Sequence, residues 1–411
     1  MVKILHFADA HIDMANYGRH DPQTGLPLRV LDFLKSLDEI VDQAISQKVD
    51  LVIFAGDAYK DRNPAPTFQR EWGKRIMRLS RANIPTILLV GNHDSSPATG
   101  RANTLDPFQT LEVPNVRVID KPQFLKPSDL WGEPLQIIAL PWIPRSSLIA
   151  NLDLSGVDLK NIHEQIENRI IKLVQDWLEQ ADPQLPCILT AHASVQGAKL
   201  GAERSIMLGN DFTLSGSLVR DPRLDYVALG HIHLSQNLNE NNHPPVIYPG
   251  SIERVDFSEA KDKKYYVIAE IDRGKTVVHW HELSAIRPFI NLACKLKDAN
   301  EFEKIIFETL PPPEKLSDAI VRLVIEYPLD AEASINENAI RQYASGAFEF
   351  QLIKNPTRVN RSRIPDDLML NDLPPSELLK VYLRTKNNSE NEIRPLLQLA
   401  EEIFHTTDEE E

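Results

Sequence analysis

The stretch KILHFADAH, from Lys3 to His11, decides the fold and locates the site. A short apolar run, typical of a buried strand, ends directly before Asp9 and His11. Alternate residues of an extended segment project to the same side, so both side chains can reach one place. The stretch therefore predicts a buried strand with metal-binding groups at its carboxyl end.

The same arrangement recurs at four further apolar runs. LVIFA is followed by Gly56-Asp57, TILLV by Gly91-Asn92-His93-Asp94, ILTA by His192, and YVAL by Gly230-His231-Ile232-His233. Ligands of open αβ sheets bind at this edge, because the loops there converge on one crevice. The predicted metal-binding set is Asp9, His11, Asp57, Asn92, His192, His231 and His233.

The chemistry of this set favours two harder divalent ions. Carboxylates, imidazoles and one amide, without a thiolate, suit Mn²⁺, Fe²⁺ or Zn²⁺. Seven ligands suit two ions if one carboxylate bridges them, and we expect Asp57 to be the bridge because its strand is predicted to be central. Glycines precede Asp57, Asn92 and His231, where they allow tight turns. A single histidine is more often a core or surface residue, but that interpretation does not explain the ordered set.

The remaining histidines lack this context. His6 has strand parity opposite to Asp9 and His11, so we expect it to face the other side of the sheet. His279 and His281 form a second His-x-His pair in VVHWHEL, which we interpret as exposed strand positions. Four others are interpreted as surface residues: His20, His163, His243 and His405.

The length and the patterns predict more than one domain. A chain of 411 residues exceeds the size of an ordinary single core. Apolar runs alternate with helical stretches up to residue 286, which indicates a layered αβ domain. A small α+β domain is predicted at 287–353, a polar linker at 354–375, and two amphipathic helices within 376–411. These helices either dock on their own protein or bind a partner, and both alternatives stay open.

Composition limits the classes of function. With 42% hydrophobic and 25% charged residues, the chain has the composition of a globular protein. The net charge of −14 argues against nucleic-acid binding by bulk electrostatics, so any such binding must be local. Cys187 and Cys294 lie in apolar runs and are expected to be free thiols. Without a membrane-length apolar run or a signal peptide, we expect a cytoplasmic protein that does not bind membranes.

Taken in order, the five motifs resemble those of the calcineurin-like metallophosphoesterases. Further segments are similar to the SbcD-type DNA repair exonucleases, bacterial relatives of the archaeal and eukaryotic double-strand-break nuclease. These segments are AGD at 55–57 followed by RNP at 62–64, ILTAHASVQGA at 188–198 and YPGSIERVDFSE at 248–259. The resemblance implies an α+β layered fold, in which a β-sandwich is flanked by helices and followed by a small capping domain and C-terminal helices.

The resemblance also implies roles for residues. One metal would be held by Asp9, His11, Asp57 and His233, and the other by Asp57, Asn92, His192 and His231, with manganese as the expected ion. His93 would act on the scissile phosphate, and Asp94 would fix its tautomer. Lys60 stands where some relatives carry a histidine. The basic candidates for substrate contact are Lys60, Arg62 and Arg254, with Arg101, Arg145 and Arg204 as further possibilities.

The implied function is a metal-dependent DNA nuclease. It would act as an exonuclease on duplex ends and as an endonuclease on single strands. The resemblance implies a homodimer and an SbcC-type coiled-coil ATPase as partner, held by the helices between Ser376 and Phe404. The alternatives are a phosphoesterase for a small nucleotide-type substrate and a non-catalytic scaffold for the ATPase.

Overall fold

The structure is a computed structural model that describes residues 1–95, 101–143, 159–201, 213–357, 375–385 and 390–407. The chain divides into two compact units. The first comprises residues 1–291, 312–322 and 343–351, and the second comprises 292–311, 323–342 and 352–411. The domain boundaries expected from the sequence remain a prediction.

The first unit is built on two six-stranded sheets. In chain order its strands are β1 (Val2–Phe7), β2 (Leu51–Phe54), β3 (Thr86–Leu89), β4 (Val116–Ile119), β5 (Gln123–Leu125), β6 (Gln136–Leu140), β7 (Cys187–His192), β8 (Ser194–Val195), β9 (Thr213–Leu214), β10 (Tyr226–Gly230), β11 (Gln236–Asn237), β12 (Val246–Tyr248), β13 (Tyr265–Asp272) and β14 (Lys275–Glu282). The first sheet has the order β14-β13-β1-β2-β3-β4, and the second has the order β11-β12-β10-β7-β6-β5. β8 and β9 pair separately.

Strand direction brings the predicted ligands to one edge of each sheet. β1, β2, β3 and β4 run parallel, as do β6, β7, β10 and β12. Parallel strands end at the same edge, so the loops after β1, β2 and β3 are neighbours. In the second sheet, Gly230 at the end of β10 pairs with His192 at the end of β7.

Alternation along the strands builds a core of three apolar layers. In β1, Ile4 belongs to the layer between the two sheets, whereas Leu5 and Phe7 belong to the layer beneath the helices of the first sheet. A third apolar layer covers the outer face of the second sheet. His6 is buried and bonds to the Tyr226 hydroxyl and the Leu229 carbonyl of the other sheet. Burial lowers the pKa of His6 to about 3, so its ring is neutral.

The helices that alternate with these strands are α1 (Leu28–Ser46), α2 (Pro66–Arg81), α3 (Asp106–Thr110), α4 (Leu159–Gln180) and α5 (Gly216–Val219). α1 and α4 are two of the helical stretches that were expected between the apolar runs. Leu34, Leu37 and Val41 lie on the buried face of α1, as helical spacing predicts. The result is a β-sandwich flanked by helices, which confirms the predicted fold class.

The rest of the chain forms a three-stranded sheet and further helices. These are β15 (Phe289–Lys295), α6 (Phe302–Thr309), α7 (Pro313–Leu316), β16 (Ile320–Pro328), α8 (Glu337–Tyr343), β17 (Glu349–Thr357), α9 (Pro375–Thr385) and α10 (Glu390–Thr407). The sheet order is β15-β16-β17. β17 reaches Thr357, where the side chain bonds to the Tyr327 carbonyl, so the strand occupies the first residues of the segment expected to be a linker. Most of that segment, 358–374, lies outside the described residues.

The state of the two cysteines and the character of the helices were both expected from the composition. Cys187 and Cys294 are buried and unpaired with each other, which confirms the free thiols. Within the described ranges, no helix has the length and apolar character required to span a bilayer.

Candidate metal centre

The loops after five strands meet at one edge of the sandwich, and four of the predicted ligands there have left-handed backbone. The φ angles are 50° at Asp9, 39° at His11, 66° at Asp57 and 94° at His231. Such angles are rare outside glycine and cost of order 1–3 kcal/mol each, so the surrounding structure must hold them. Asp9 N–H donates to the Gly56 carbonyl (3.0 Å), and His231 N–H donates to the Asp9 carboxylate (3.0 Å).

Two of the predicted glycines are needed at this edge for different reasons. Gly56 has a φ of 101°, and a Cβ there would also overlap the His192 ring. Gly91 has no unusual φ, but a Cβ there would overlap the Asp57 carboxylate. Gly56 thus fits the expected tight turn. Position 91 requires a glycine for another reason, because the Asp57 carboxylate lies too close to its backbone to admit a Cβ.

The first group of donor atoms contains Asp9, His11 and His233, whose ligand atoms lie within 4.8 Å of one another. His11 Nδ1 bonds to the Tyr59 carbonyl (3.2 Å), and His233 Nδ1 bonds to the Glu259 carboxylate (2.8 Å). Both partners can only accept, so each Nδ1 carries the proton. The two Nε2 atoms then face each other at 3.1 Å.

The second group contains Asp9, Asp57 and His192, again with ligand atoms within 4.8 Å of one another. His192 Nδ1 donates to the Ala55 carbonyl (2.7 Å). The Nε2 atom on the other side of the ring then faces Asn92 Oδ1 at 2.9 Å. His231 Nδ1 lies 3.0 Å from the same Asn92 oxygen. The amide oxygen of Asn92 therefore joins two imidazoles, and all seven predicted ligands come together.

Two carboxylates link the groups. Asp9 belongs to both. Asp57 Oδ2 lies 3.9 Å from His11 Nε2 and 3.4 Å from His192 Nε2. Both carboxylates are buried and reach both groups, so the geometry by itself does not single out Asp57 as the bridge.

The electrostatics of the cluster fit divalent cations. Two imidazole lone pairs facing each other, as at His11 and His233, repel unless a proton or a cation lies between them. Burial opposes charge on His192, but the Asp57 and Asp9 carboxylates outweigh it and raise the His192 pKa to about 9. That proton sits on Nε2, among the oxygens of Asp57 and Asn92. A divalent ion would displace it, because metal ligation requires the deprotonated imidazole.

Burial and charge shape the two carboxylates differently. Burial raises the pKa of Asp9 to about 6. Burial also acts to raise the pKa of Asp57, but His192, His93 and His11 outweigh it and hold that pKa below its usual range. Both carboxylates are therefore mainly ionised at neutral pH, and Asp57 keeps its charge to lower pH than Asp9 does.

Glu259 and Lys264 support the first group, and neither belongs to the set of residues predicted from the sequence. Glu259 accepts from His233 Nδ1 and, through its other oxygen, from Lys264 Nζ (2.6 Å). Lys264 is 1% exposed and donates also to the Ser251 hydroxyl (2.7 Å). Burial opposes the charge of Glu259, but Lys264 and His233 outweigh it and hold the Glu259 pKa below its usual range. A buried acceptor of this kind orients a metal-binding histidine.

His93 lies beside the centre, but its orienting partner differs from the prediction. Its Nδ1 donates to the Lys60 carbonyl (2.6 Å), and its ring packs edge-on against His11 with centroids 5.3 Å apart. Asp94 was expected to accept from His93. Its carboxylate instead accepts from the backbone of Asp57 (2.8 Å) and from three other groups: Ala58 N, Gly91 N and Thr104 Oγ1. Asp94 therefore shapes the ligand loops, and the role predicted for it was wrong.

The basic candidates divide according to what their side chains contact. Lys60 is exposed, and its backbone carbonyl orients His93. Arg62 is exposed and donates to the Asn92 carbonyl (3.2 Å). Arg254, by contrast, donates to the carbonyls of Asp262 (2.8 Å) and Arg287 (2.9 Å), which is a structural task. Arg101 is exposed, and Arg145 and Arg204 lie outside the described residues.

One aromatic residue near the centre was also missed. Trp142 follows β6 and packs on the His231 ring at 5.2 Å and on the edge of His192 at 6.3 Å. It follows an apolar run, QIIAL at 136–140, as the candidate ligands follow theirs. Its residue type gave no signal in the sequence, because a tryptophan side chain is not a metal ligand.

Comparisons with known proteins agree with this geometry. Residues 2–235 match the model of the calcineurin-like phosphoesterase family. The chain is 26% identical over 287 residues to the SbcD component of the SbcCD nuclease of Escherichia coli strain K12, covering 67% of this chain and 66% of that protein. It is 25% identical over 259 residues to "DNA double-strand break repair protein Mre11" of Archaeoglobus fulgidus, covering 63% of this chain and 52% of that protein. The chain thus spans less than two thirds of the length of these relatives.

A solved structure is also similar over much of the chain. A crystal structure of a protein from Thermus thermophilus covers 68% of this chain and 98% of its own, with 15% identity and a TM-score of 0.39.

Proposed function

The chain belongs to the calcineurin-like phosphoesterase family and is a relative of the SbcD nucleases, as its motifs predicted, and we propose that it is a DNA nuclease using two divalent ions. The observation that carries the proposal is the convergence of five strand-end loops on two adjoining groups of donor atoms. The choice of DNA rests on the relatives, which are described as a nuclease and as a double-strand break repair protein.

We assign the ligands to two ions, and Asp57 would be shared between them. The first ion would be held by Asp9, His11, Asp57 and His233, and the second by Asp57, Asn92, His192 and His231. The facing Nε2 atoms of His11 and His233 support the first site, and the imidazoles that meet at Asn92 Oδ1 support the second. Manganese is the proposed metal, since a set of carboxylates, imidazoles and one amide suits it.

The chain's own residues position the substrate and move a proton. Two bound divalent ions supply Lewis acidity towards a phosphodiester and a nucleophile near neutral pH. His93 Nδ1 is held by the Lys60 carbonyl, which leaves Nε2 to give a proton to the leaving oxygen. Burial lowers the His93 pKa, so the ring is neutral before substrate binds. The negative charge of a bound phosphodiester raises that pKa and favours the imidazolium form.

The proposal extends to the DNA substrates and to the partners of the protein. The protein acts as an exonuclease on duplex ends and as an endonuclease on single strands, in DNA end processing and break repair in the cytoplasm. It forms a homodimer, residues 287–353 cap the site, and α9 and α10 bind an SbcC-type coiled-coil ATPase. Exposed apolar side chains on these helices support a docking role: Tyr382, Leu396 and Leu399 are 50%, 44% and 56% exposed.

A nuclease assay with Mn²⁺ tests the proposal. Linear duplexes with open and blocked ends are incubated with wild type, Asp57→Ala and His279→Ala, with and without a candidate ATPase. We expect Asp57→Ala to lose on the order of 1,000-fold in rate and to bind less metal, since metal ions contribute several kcal/mol to the transition state. His279→Ala, on an exposed strand position, is the control. Full activity of Asp57→Ala would exclude the two-metal assignment.

The net charge favours one alternative. A chain of net charge −14 repels a long polyanion, which is consistent with a small nucleotide-type substrate. Turnover of cyclic nucleotides or bis-p-nitrophenyl phosphate with no cleavage of any DNA would establish that alternative. A non-catalytic scaffold for the ATPase is disfavoured, because all seven predicted ligands are present and meet at one place. The scaffold alternative would be supported if the protein bound the ATPase but contained no metal.

A further inference from the structure

Three of the four proposed imidazole ligands are oriented by a hydrogen bond on the far side of the ring. His11, His192 and His233 each bond through Nδ1 to an acceptor, and their Nε2 atoms face the neighbouring donor atoms. His231 is reversed, because its Nδ1 lies 3.0 Å from Asn92 Oδ1. An Nδ1 that faces the centre cannot also donate to an acceptor outside it, so the His231 ring must be oriented in another way.

The side chain of Trp142 packs on this reversed histidine. The centroids of the indole and the His231 ring are 5.2 Å apart, with 39° between their planes. The His192 ring lies edge-on to the same indole at 6.3 Å, and the two imidazoles are 5.2 Å apart. Aromatic rings at such distances attract one another in preferred geometries, in addition to the area that they bury. The indole therefore restricts the tilt of both imidazoles.

The main chain of Trp142 contacts the loop of the third member of this group. Its N–H donates to the carbonyl of Val90 (2.8 Å), which lies two residues before Asn92. Trp142 follows β6 in the second sheet, whereas Val90 follows β3 in the first sheet. One residue thus contacts His192, His231 and the loop of Asn92, and it links the two sheets where these three side chains meet.

An apolar cavity of about 20 Å³ adjoins the indole. Trp142 and His192 lie on its wall, together with buried side chains that include Leu140, Ile170 and Leu214. Apolar cavities stay dry, since a buried water needs polar partners. A hydrophobic surround limits the access of solvent to a metal site. The indole therefore has a second effect, because it gives the two imidazoles a dry neighbour.

We propose that Trp142 is a positioning residue for the second ion. Its indole fixes the tilt of His192 and His231, and its peptide N–H holds the loop that carries Asn92. The proposal rests on the two-ion function proposed above and adds that the two sites depend on different supports. His233 of the first site is oriented by a buried carboxylate, whereas the second site is oriented by an aromatic ring. Loss of that ring should weaken one ion and spare the other.

Counting bound ions tests the proposal without reference to turnover. Trp142→Leu keeps an apolar side chain but removes the ring, and Trp142→Phe keeps a ring. Metal-free proteins are titrated with Mn²⁺, and electron paramagnetic resonance measures the ion that remains unbound. We expect Trp142→Leu to bind one of its two equivalents about 10- to 100-fold more weakly than wild type, the usual effect of removing an orienting partner. The other equivalent should bind with unchanged affinity, and Trp142→Phe should recover most of the loss.

Trp177→Leu is the matched control. Trp177 is also half-buried and lies in the first unit, where its ring stacks on Phe124 at 6.5 Å. This variant should bind both equivalents as wild type does. Equal weakening of both ions in Trp142→Leu, or affinities equal to those of Trp177→Leu, would overturn the proposal. If wild type binds fewer than two ions, the two-ion function is itself contradicted and the inference falls with it.

Tryptophan fluorescence gives a second readout that does not require Trp142→Leu to fold. Bound Co²⁺ quenches the emission of nearby indoles, so titration with Co²⁺ should lower the emission of wild type. Trp142→Phe should bind Co²⁺ but lack the quenching that arises from the indole beside His231, whereas Trp177→Phe should retain it. Identical quenching in the two phenylalanine variants would place the indole away from the ion and overturn the proposal.

The dependence of turnover on Mn²⁺ separates positioning of the ion from general damage. At limiting Mn²⁺, Trp142→Leu should hydrolyse bis-p-nitrophenyl phosphate about tenfold or more slowly than wild type. Excess Mn²⁺ should restore most of the wild-type kcat, because a weakened site fills by mass action. A defect of the same size at every Mn²⁺ concentration would show that Trp142 does not act through the ion and would overturn the proposal.

Discussion

The chain carries two His-x-His pairs in two very different environments. His231 and His233 follow the end of β10, where they meet Asn92, His11 and Glu259. His279 and His281 lie inside β14. There His279 is exposed, whereas His281 is half-buried and stacks on Tyr266 at 5.0 Å, so the expectation of exposed strand positions holds for His279 only.

The position of each strand explains the difference. β10 lies inside its sheet between β12 and β7, and its end opens into the same crevice as the ends of β1, β2 and β3. β14 is an edge strand that pairs with β13 alone. Its two histidines stand opposite Ile268 and Tyr266, neither of which offers a carboxylate, imidazole or thiolate. The motif therefore indicates a metal site only where a strand ends among other strand ends.

Replacing each pair by asparagine tests this comparison most strongly. We expect His231→Asn with His233→Asn to lower phosphodiesterase activity on the order of 1,000-fold and to reduce bound metal, because each proposed ion loses a ligand. His279→Asn with His281→Asn should retain activity within about twofold. Elemental analysis and a bis-p-nitrophenyl phosphate assay provide the measurements. Equal losses in the two double variants would refute the distinction.

His93→Gln separates proton transfer from metal binding at the same edge. We expect about a 100-fold loss in turnover with unchanged metal content, since a positioned acid contributes about 100- to 10,000-fold. Metal content and single-turnover rates are measured on the same preparation. If both metals are lost, His93 is a ligand and not a proton donor.

Lys264→Met tests the contribution of the Lys264–Glu259 ion pair, which orients His233. Methionine keeps the volume but leaves Glu259 buried without its cation, so the carboxylate becomes protonated and holds His233 less well. We expect about a 10- to 100-fold loss in metal affinity, the usual effect of removing an orienting partner. Isothermal titration with Mn²⁺ measures it, with Lys263→Met as control, since Lys263 pairs with exposed Glu282. An unchanged affinity would restrict Lys264 to a packing role.

The smallest expected effect is on thermal stability. Saturating Mn²⁺ should raise the Tm of wild type by about 5 °C, because a ligand at 100 times its Kd contributes about 2.7 kcal/mol. The His279 and His281 variant should show the same rise, and the His231 and His233 variant should show a smaller one. Calorimetry with and without chelator measures the shifts. A rise that is the same in all three proteins would place the bound metal elsewhere.

The short strands show where local pattern stops being informative. β5 and β12 contain three residues each, and β11 contains two. Such runs are too short for a period of two to stand out, so none of them was predicted. They exist because neighbouring strands present unpaired backbone groups, which is a property of the assembled sheet.

The proposed metal ligands and the strands that carry them were determined by the sequence itself, because apolar runs ending in Asp, Asn or His are local patterns. The environment of those ligands was decided by tertiary structure. Glu259 and Lys264 reach His233 from 26 and 31 residues away, and Asp94 turns to backbone N–H groups of another loop. Such partners are chosen by which loops a sheet brings together. The periodicity of a sequence determines which face of an element is buried, whereas contacts between loops depend on strand order.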